Sequence, residues 1–442
     1  MMKFIFIILF MNFMMLWNKI MVFYYNLFYL ISFMILFMYM NKDLLWNNIS
    51  GVFGLEYYSI FLVVLSFWII SLMMMCLNDD DMLKLFIFIN LLIVLEMFFL
   101  SMNLILFYLL YEISLIPTFF LIIYWGSNLE RLGASYYLMI YMLLVSFPLL
   151  VYVVDLYYYS LTVSFSLMNM FMMNYMFSFM GYMMIYGSFF IKMPMYIFHV
   201  WLPKAHVEAP VYGSMILAGV LLKMGGYGLM RLLVMFIYMN LKYNYLILSL
   251  SIVGSLVVGV MCLVQIDMKS LVAYSSVVHM NMMLCSLMTM YKLSFLGGYI
   301  MMISHGLCSS GLFYVVNLFY YRTGSRLLIF NKGMMVNLPS LMMWWFLLCV
   351  SNFSFPFSLN FIGEVLMLMV LLSWDLFMIV YMTLICFFSS AYSLYLYSYI
   401  QHGGKVFNNN IMFNMNLIKE YVVLVIHFYP LFLFLLNLIV MM

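Results

Sequence analysis

Residues 191–210 read "IKMPMYIFHVWLPKAHVEAP" and hold three prolines, two histidines, two lysines and one glutamate. They stand in a chain of 442 residues of which only 7% are charged and 69% are hydrophobic. Soluble domains are about half apolar and about a quarter charged. With a mean hydropathy of +1.16, the solvent of this chain must be lipid. At membrane depth, broken helices occur where backbone lines a cavity or is buried in protein. The stretch therefore reads as a discontinuous membrane helix that carries protonatable groups.

Outward from it, rare polar clusters divide the chain into about fourteen apolar runs. A spanning helix needs roughly 20 apolar residues. The runs are 4–17, 20–40, 56–77, 84–101, 103–124, 135–158, 170–190, 211–230, 243–264, 271–291, 294–318, 334–355, 375–400 and 419–440. A second discontinuity is expected over 339–374, where Pro339 and Pro356 interrupt the apolar pattern. Two broken helices in corresponding positions suggest internal repeats around a transport path. Connecting loops such as 126–133, 239–244, 320–333 and 401–410 are short. The first seventeen residues lack a cleavage site and read as the first membrane helix. The lack of a presequence there hints at synthesis inside the final compartment.

Several function classes fall away. The six cysteines are scattered and form no C-x-x-C, which argues against iron–sulfur ligation and a disulfide framework. They read as small buried hydrophobes. A net charge of +3, spread out, gives no support for nucleic-acid binding. The 53 methionines fill apolar positions as leucine would and are put down to codon bias. No G-x-G-x-x-G or Walker loop is present, and "GGYG" at 225–228 reads as close helix packing.

The informative residues are the ionisable ones inside apolar runs: Glu112, Lys192, Lys223, His279, His305 and Glu364. A charge at the centre of a spanning helix costs roughly 2.5–3.5 kcal/mol on insertion scales. A buried histidine alone is usually a hydrogen-bonded packing residue, and a lone Glu–Lys pair is often helix glue. Six such groups together point to function. Removing water disfavours a lysine's charged form and a nearby carboxylate favours it, so making and breaking one pair is a proton switch. Histidine, titrating near neutrality, is a natural carrier. Lys192 and His199 are seven residues apart and would share a face if the helix were continuous. Lys204, His206 and Glu208 read as part of a connection near a membrane surface, with His206 either passing protons to water or anchoring the loop. Glu96 reads as a structural partner or a further relay member.

"KMPMYIFHVWLPKAHVEAPVYGSMILAGVLLKMGGYGLMR" (192–231) resembles the signature of the antiporter-like subunits of respiratory complex I. Supporting phrases are "YEISLIPT" (111–118), "DMKSLVAYSSVVHM" (267–280), "ISHGLCSSGLF" (303–313) and "NFIGE" (360–364), so the likeness runs from about residue 80 to 400. The resemblance implies an all-α polytopic membrane fold with about fourteen helices and two inverted five-helix repeats, each with a discontinuous helix. It implies N-terminal helices over 1–78, repeats over 79–240 and 241–400, and a last loop and helix over 401–442. It also implies a proton relay of Glu112, Lys192, Lys223, His279, His305 and Glu364, with His199 and His206 as lesser candidates, and no metal. The family carries no cofactor in such a chain; NADH, FMN, iron–sulfur clusters and ubiquinone belong to other subunits. Expected partners are neighbouring antiporter-like subunits and membrane lipid, not nucleic acid, in the mitochondrial inner membrane. Two departures stand out: Tyr321 and Gly324 replace the family's loop Glu and His, and Phe357 stands where a second proline is common. A stand-alone cation/proton antiporter subunit shares the motif and is the alternative; a quinone-binding enzyme and a pure scaffold explain less.

Overall fold

The computed structural model describes residues 2–14, 21–38, 46–77, 81–172, 175–403 and 417–438. The expected loop at 401–410 lies outside them from residue 404 on, as do the ends of the expected runs 4–17, 20–40 and 419–440. Apolar runs become helices because lipid offers backbone groups no partner. The chain forms two compact units, Met1–Met193 with Glu208–Tyr245 and Pro194–Val207 with Leu246–Met442.

The helices in chain order are α1 (Met2–Met14), α2 (Met21–Met38), α3 (Tyr57–Cys76), α4 (Met82–Leu100), α5 (Leu104–Ile113), α6 (Leu115–Trp125), α7 (Arg131–Ser160), α8 (Phe165–Phe171), α9 (Phe179–Lys192) and α10 (Trp201–Glu208). There follow α11 (Val211–Ile216), a π-helical turn (Leu217–Leu221), α12 (Leu222–Met235), α13 (Ile237–Val264), α14 (Met268–Met288) and α15 (Lys292–Thr323). The last are α16 (Met334–Asn337), α17 (Pro339–Asn352), α18 (Leu359–Trp374), α19 (Met378–Gln401) and α20 (Ile418–Leu436). Eleven helical segments of the described residues are long and apolar enough to cross a membrane. The all-α polytopic expectation stands; the sequence predicts about fourteen crossings, and eleven spans are found among the described residues.

Three local readings are corrected and a fourth is refined. The run 170–190 is not one helix; α9 starts at Phe179, where the Ser178 hydroxyl accepts the Gly181 amide at 3.4 Å. The run 103–124 holds as one span, Leu104–Trp125, with a local irregularity at Ser114 where Pro117 has no amide to donate one turn back. Pro339 begins α17 and does not break it, because a first-turn proline lacks only an amide that would be orphaned anyway. The phrase "LPKAHVEAP" is mostly the helix α10 and no mere connection. A two-stranded antiparallel hairpin, β1 (Asn47–Ser50) and β2 (Phe53–Leu55), also joins the first unit, turning at Gly51 with φ +63°.

Both breaks carry left-handed backbone on bulky residues. Ile197 has φ +83°, and Ser354 and Phe357 have φ +60° and +79°. Proline, fixed near −65°, cannot occupy position 357 in this geometry, so the Phe357 departure belongs to the shape of the break. Gly324 caps α15 at φ +68°, a position that suits glycine.

In the first unit the core includes a ring cluster of Phe98, Phe107 and Tyr227, with Phe98 and Phe107 stacked at 4.3 Å. In the second unit α14 and α15 are buried almost throughout. There α18 meets α15 so closely that a Cβ on Gly363 would lie 3.2 Å from the Met301 amide nitrogen.

Candidate functional site: buried ionisable residues

The first unit holds Glu112, Lys192 and Lys223. Lys192 ends α9 at 1% exposure. Its Nζ lies 3.4 Å from the Tyr111 ring centroid and donates to the Tyr111 carbonyl at 3.4 Å and to the Ser114 hydroxyl at 3.5 Å. Met224 Sδ is 3.9 Å away. The end of α9 can reach this place because Gly225 has no side chain; a Cβ there would meet Met193 Cγ at 2.9 Å and Lys192 Cβ at 3.1 Å. The α5–α6 interruption supplies the lysine's oxygen partners.

Glu112 sits half-buried on α5. Ser146 and Lys192 act on its carboxylate electrostatically. Neither oxygen has a well-formed hydrogen bond, and no Glu112–Lys192 ion pair occurs among the described residues' salt bridges. The expected pair is therefore open. Lys223 is wholly buried and donates to the Ala218 carbonyl at 2.5 Å. Ala218 lies in the π-helical turn, a departure from α-helix often found at functional sites. Glu96, buried on α4, accepts the Ser66 hydroxyl at 2.6 Å.

At one end of the same unit Arg231 pairs with Glu56 at 2.9 Å. Its guanidinium stacks on Trp46 at 3.9 Å and bonds the Tyr227 hydroxyl. Tyr227 in turn donates to the Phe99 carbonyl at 3.0 Å.

The second unit holds His199, His206, His279, His305 and Glu364. His279 Nδ1 lies 3.1 Å from Glu364 Oε1, and its Nε2 lies 3.3 Å from the Tyr392 hydroxyl. The His305 ring, fully buried, is centred 5.6 Å from that of His279. Three predicted groups thus meet on α14, α15 and α18. His199 lies in the turns after α9 with its ring stacked on Tyr196 at 5.5 Å. Because α9 ends at Lys192, the two-turn spacing proposed for Lys192 and His199 does not apply. His206 is fully buried and stacked on Phe313 at 4.8 Å. In the first unit, Glu208 is buried and accepts from Asn128 at 3.1 Å, while Lys204 of the second is exposed.

A family model described as "NADH:quinone oxidoreductase/Mrp antiporter, TM" matches residues 101–389, and one described as "NADH-ubiquinone oxidoreductase chain 4, amino terminus" matches 1–78. The "NADH-ubiquinone oxidoreductase chain 4" of Ceratitis capitata is 48% identical over 385 residues, covering 86% of this chain and 85% of that one. That of Apis mellifera ligustica is 44% identical, covering 85% and 83%. The chain belongs to the NADH-ubiquinone oxidoreductase chain 4 family. A solved structure, "Respiratory complex I from Thermus thermophilus with bound NADH", contains a chain of like fold, with TM-score 0.81 at 20% identity over 92% of this chain and 89% of that one.

For this chain 4 family member the likeness reaches further than the sequence phrases suggest. Residues 1–78 looked merely apolar, yet they carry a family pattern of their own. Sequence reading missed Tyr111, Ser114 and Tyr392, which hold Lys192 and His279. Among 38 tyrosines no sequence signal marks Tyr111 and Tyr392.

Proposed function

We propose that this chain moves protons across the mitochondrial inner membrane as a core membrane-arm subunit of NADH:ubiquinone oxidoreductase, through Glu112, Lys192, Lys223, His279, His305 and Glu364. His199 and His206 are lesser members. The chain is a subunit of an oxidoreductase complex, and it carries no redox centre itself in this reading. NADH, FMN, iron–sulfur clusters and ubiquinone lie in other subunits. Its partners are neighbouring antiporter-like subunits and lipid.

One observation carries the reading: Glu364, His279 and His305 meet on three helices of a membrane unit, two of them at 3.1 Å. A carboxylate and an imidazole at that distance share a proton readily. In the first unit the open Glu112–Lys192 pair supplies the switch. The ammonium now rests on the Tyr111 face and two oxygens. With the carboxylate at 4 Å the whole attraction would be about 4 kcal/mol at an effective dielectric of about 20, and closing the gap gains part of it. Parting them again returns that energy, which is how conformational coupling from the redox subunits could drive transfer.

Purified complex carrying Glu112→Gln or Lys223→Met, reconstituted in liposomes, tests the assignment. Proton translocation should fall roughly tenfold or more with assembly intact. Wild-type pumping by either variant removes that residue from the relay. Isolation of the chain without flavin- and iron–sulfur-containing partners would favour the stand-alone antiporter.

A further inference from the structure

The relay reading uses one face of His279 and leaves its other nitrogen unexplained. Nδ1 faces Glu364 at 3.1 Å, while Nε2 faces the Tyr392 hydroxyl at 3.3 Å. Tyr392 comes from α19, whose buried stripe is Met382, Ile385, Ser389, Tyr392, Ser393, Leu396 and Ile400. Phenylalanine would keep the ring of this stripe and remove only the hydroxyl. A fully buried phenol must find a partner in apolar surroundings, and His279 is one at this distance.

Resting on the relay reading, we infer that Tyr392 is a positioning residue that fixes the tautomer and orientation of His279. A neutral imidazole is a donor at one nitrogen and an acceptor at the other. With Tyr392 donating to Nε2, the ring's own N–H is placed on Nδ1 and aimed at Glu364. When the ring takes a second proton, Nε2–H donates and the phenol oxygen accepts, so the hydroxyl reverses without the ring turning. The partner of a histidine's far nitrogen commonly sets which nitrogen works. Without the hydroxyl the ring can flip or adopt the other tautomer, and Glu364 then faces a lone pair.

The experiment uses the assembled complex in liposomes and compares Tyr392→Phe, His279→Ala and the double variant. Tyr392→Phe should reduce proton translocation roughly two- to tenfold, the equivalent of one hydrogen bond, at normal assembly. In the His279→Ala background the same change should add nothing, because Tyr392 acts only through that ring. An equal loss in both backgrounds, or normal pumping by Tyr392→Phe, overturns the positioning role. Normal pumping by His279→Ala overturns the relay through His279 and this inference with it. If Tyr392→Phe prevents assembly, Tyr392→Gln, which restores a donor, decides: assembly without pumping refutes the role, and recovered pumping supports it.

Discussion

At the scale of single residues, the interior polar groups work because a neighbour takes each of them out of isolation. Lys192 rests on Tyr111, whose own hydroxyl donates to the Ser188 carbonyl at 2.8 Å. Tyr111→Leu should therefore unseat the lysine as well as lose one hydrogen bond, costing about 1–3 kcal/mol. The expected result is a lower melting temperature of the complex together with reduced pumping. Arg231 and Glu56 form the more severe case. Glu56→Gln leaves a guanidinium only 5% exposed without its carboxylate, a loss of about 3–5 kcal/mol, seen as depleted complex on native gels. Both carboxylate and lysine positions of the relay were legible, since a charge inside an apolar run announces itself. Their tyrosine and serine partners were not, because such residues are ordinary in any membrane helix.

At the scale of elements, helices followed directly from apolar runs, and errors gathered at prolines and polar caps. A proline shows that an amide is missing but not whether the helix starts there, as at Pro339, or bends three residues earlier, as at Pro117. The second break is held by Ser354 and Phe357 in left-handed geometry. Such a conformation costs a non-glycine residue roughly 1–2 kcal/mol. Phe357→Gly should accordingly stabilise the complex by about 1 kcal/mol, read from its thermal midpoint. Phe357→Pro should lower that midpoint, because the ring cannot reach that φ and the break must rearrange locally. The shared face of Lys192 and His199 is conditional on a continuous helix, and α9 ends at Lys192, beside the expected Pro194 break.

At the scale of the whole molecule, composition alone dictated a membrane protein, and the broken stretch pointed to the family. Nothing in the order of residues foretold that Pro194–Val207 would group with Leu246–Met442 and not with its own neighbours. Beside the His206–Phe313 stack, two cations share one oxygen of that segment: Lys269 Nζ and Arg326 donate to the Val207 carbonyl at 3.2 and 2.6 Å. Either donor alone can hold that carbonyl. Lys269→Met with Arg326→Met should thus cost more than the two single changes added together, measured as loss of assembled complex.

The close meeting of α18 and α15 has a genetic consequence. Every missense change in a glycine codon adds at least one carbon. At position 363 that carbon would stand 3.2 Å from the Met301 backbone, which cannot rotate aside as a side chain does. The codon next to Glu364 is therefore constrained by helix packing and not by chemistry: any missense change there must push α18 and α15 apart by a few tenths of an ångström.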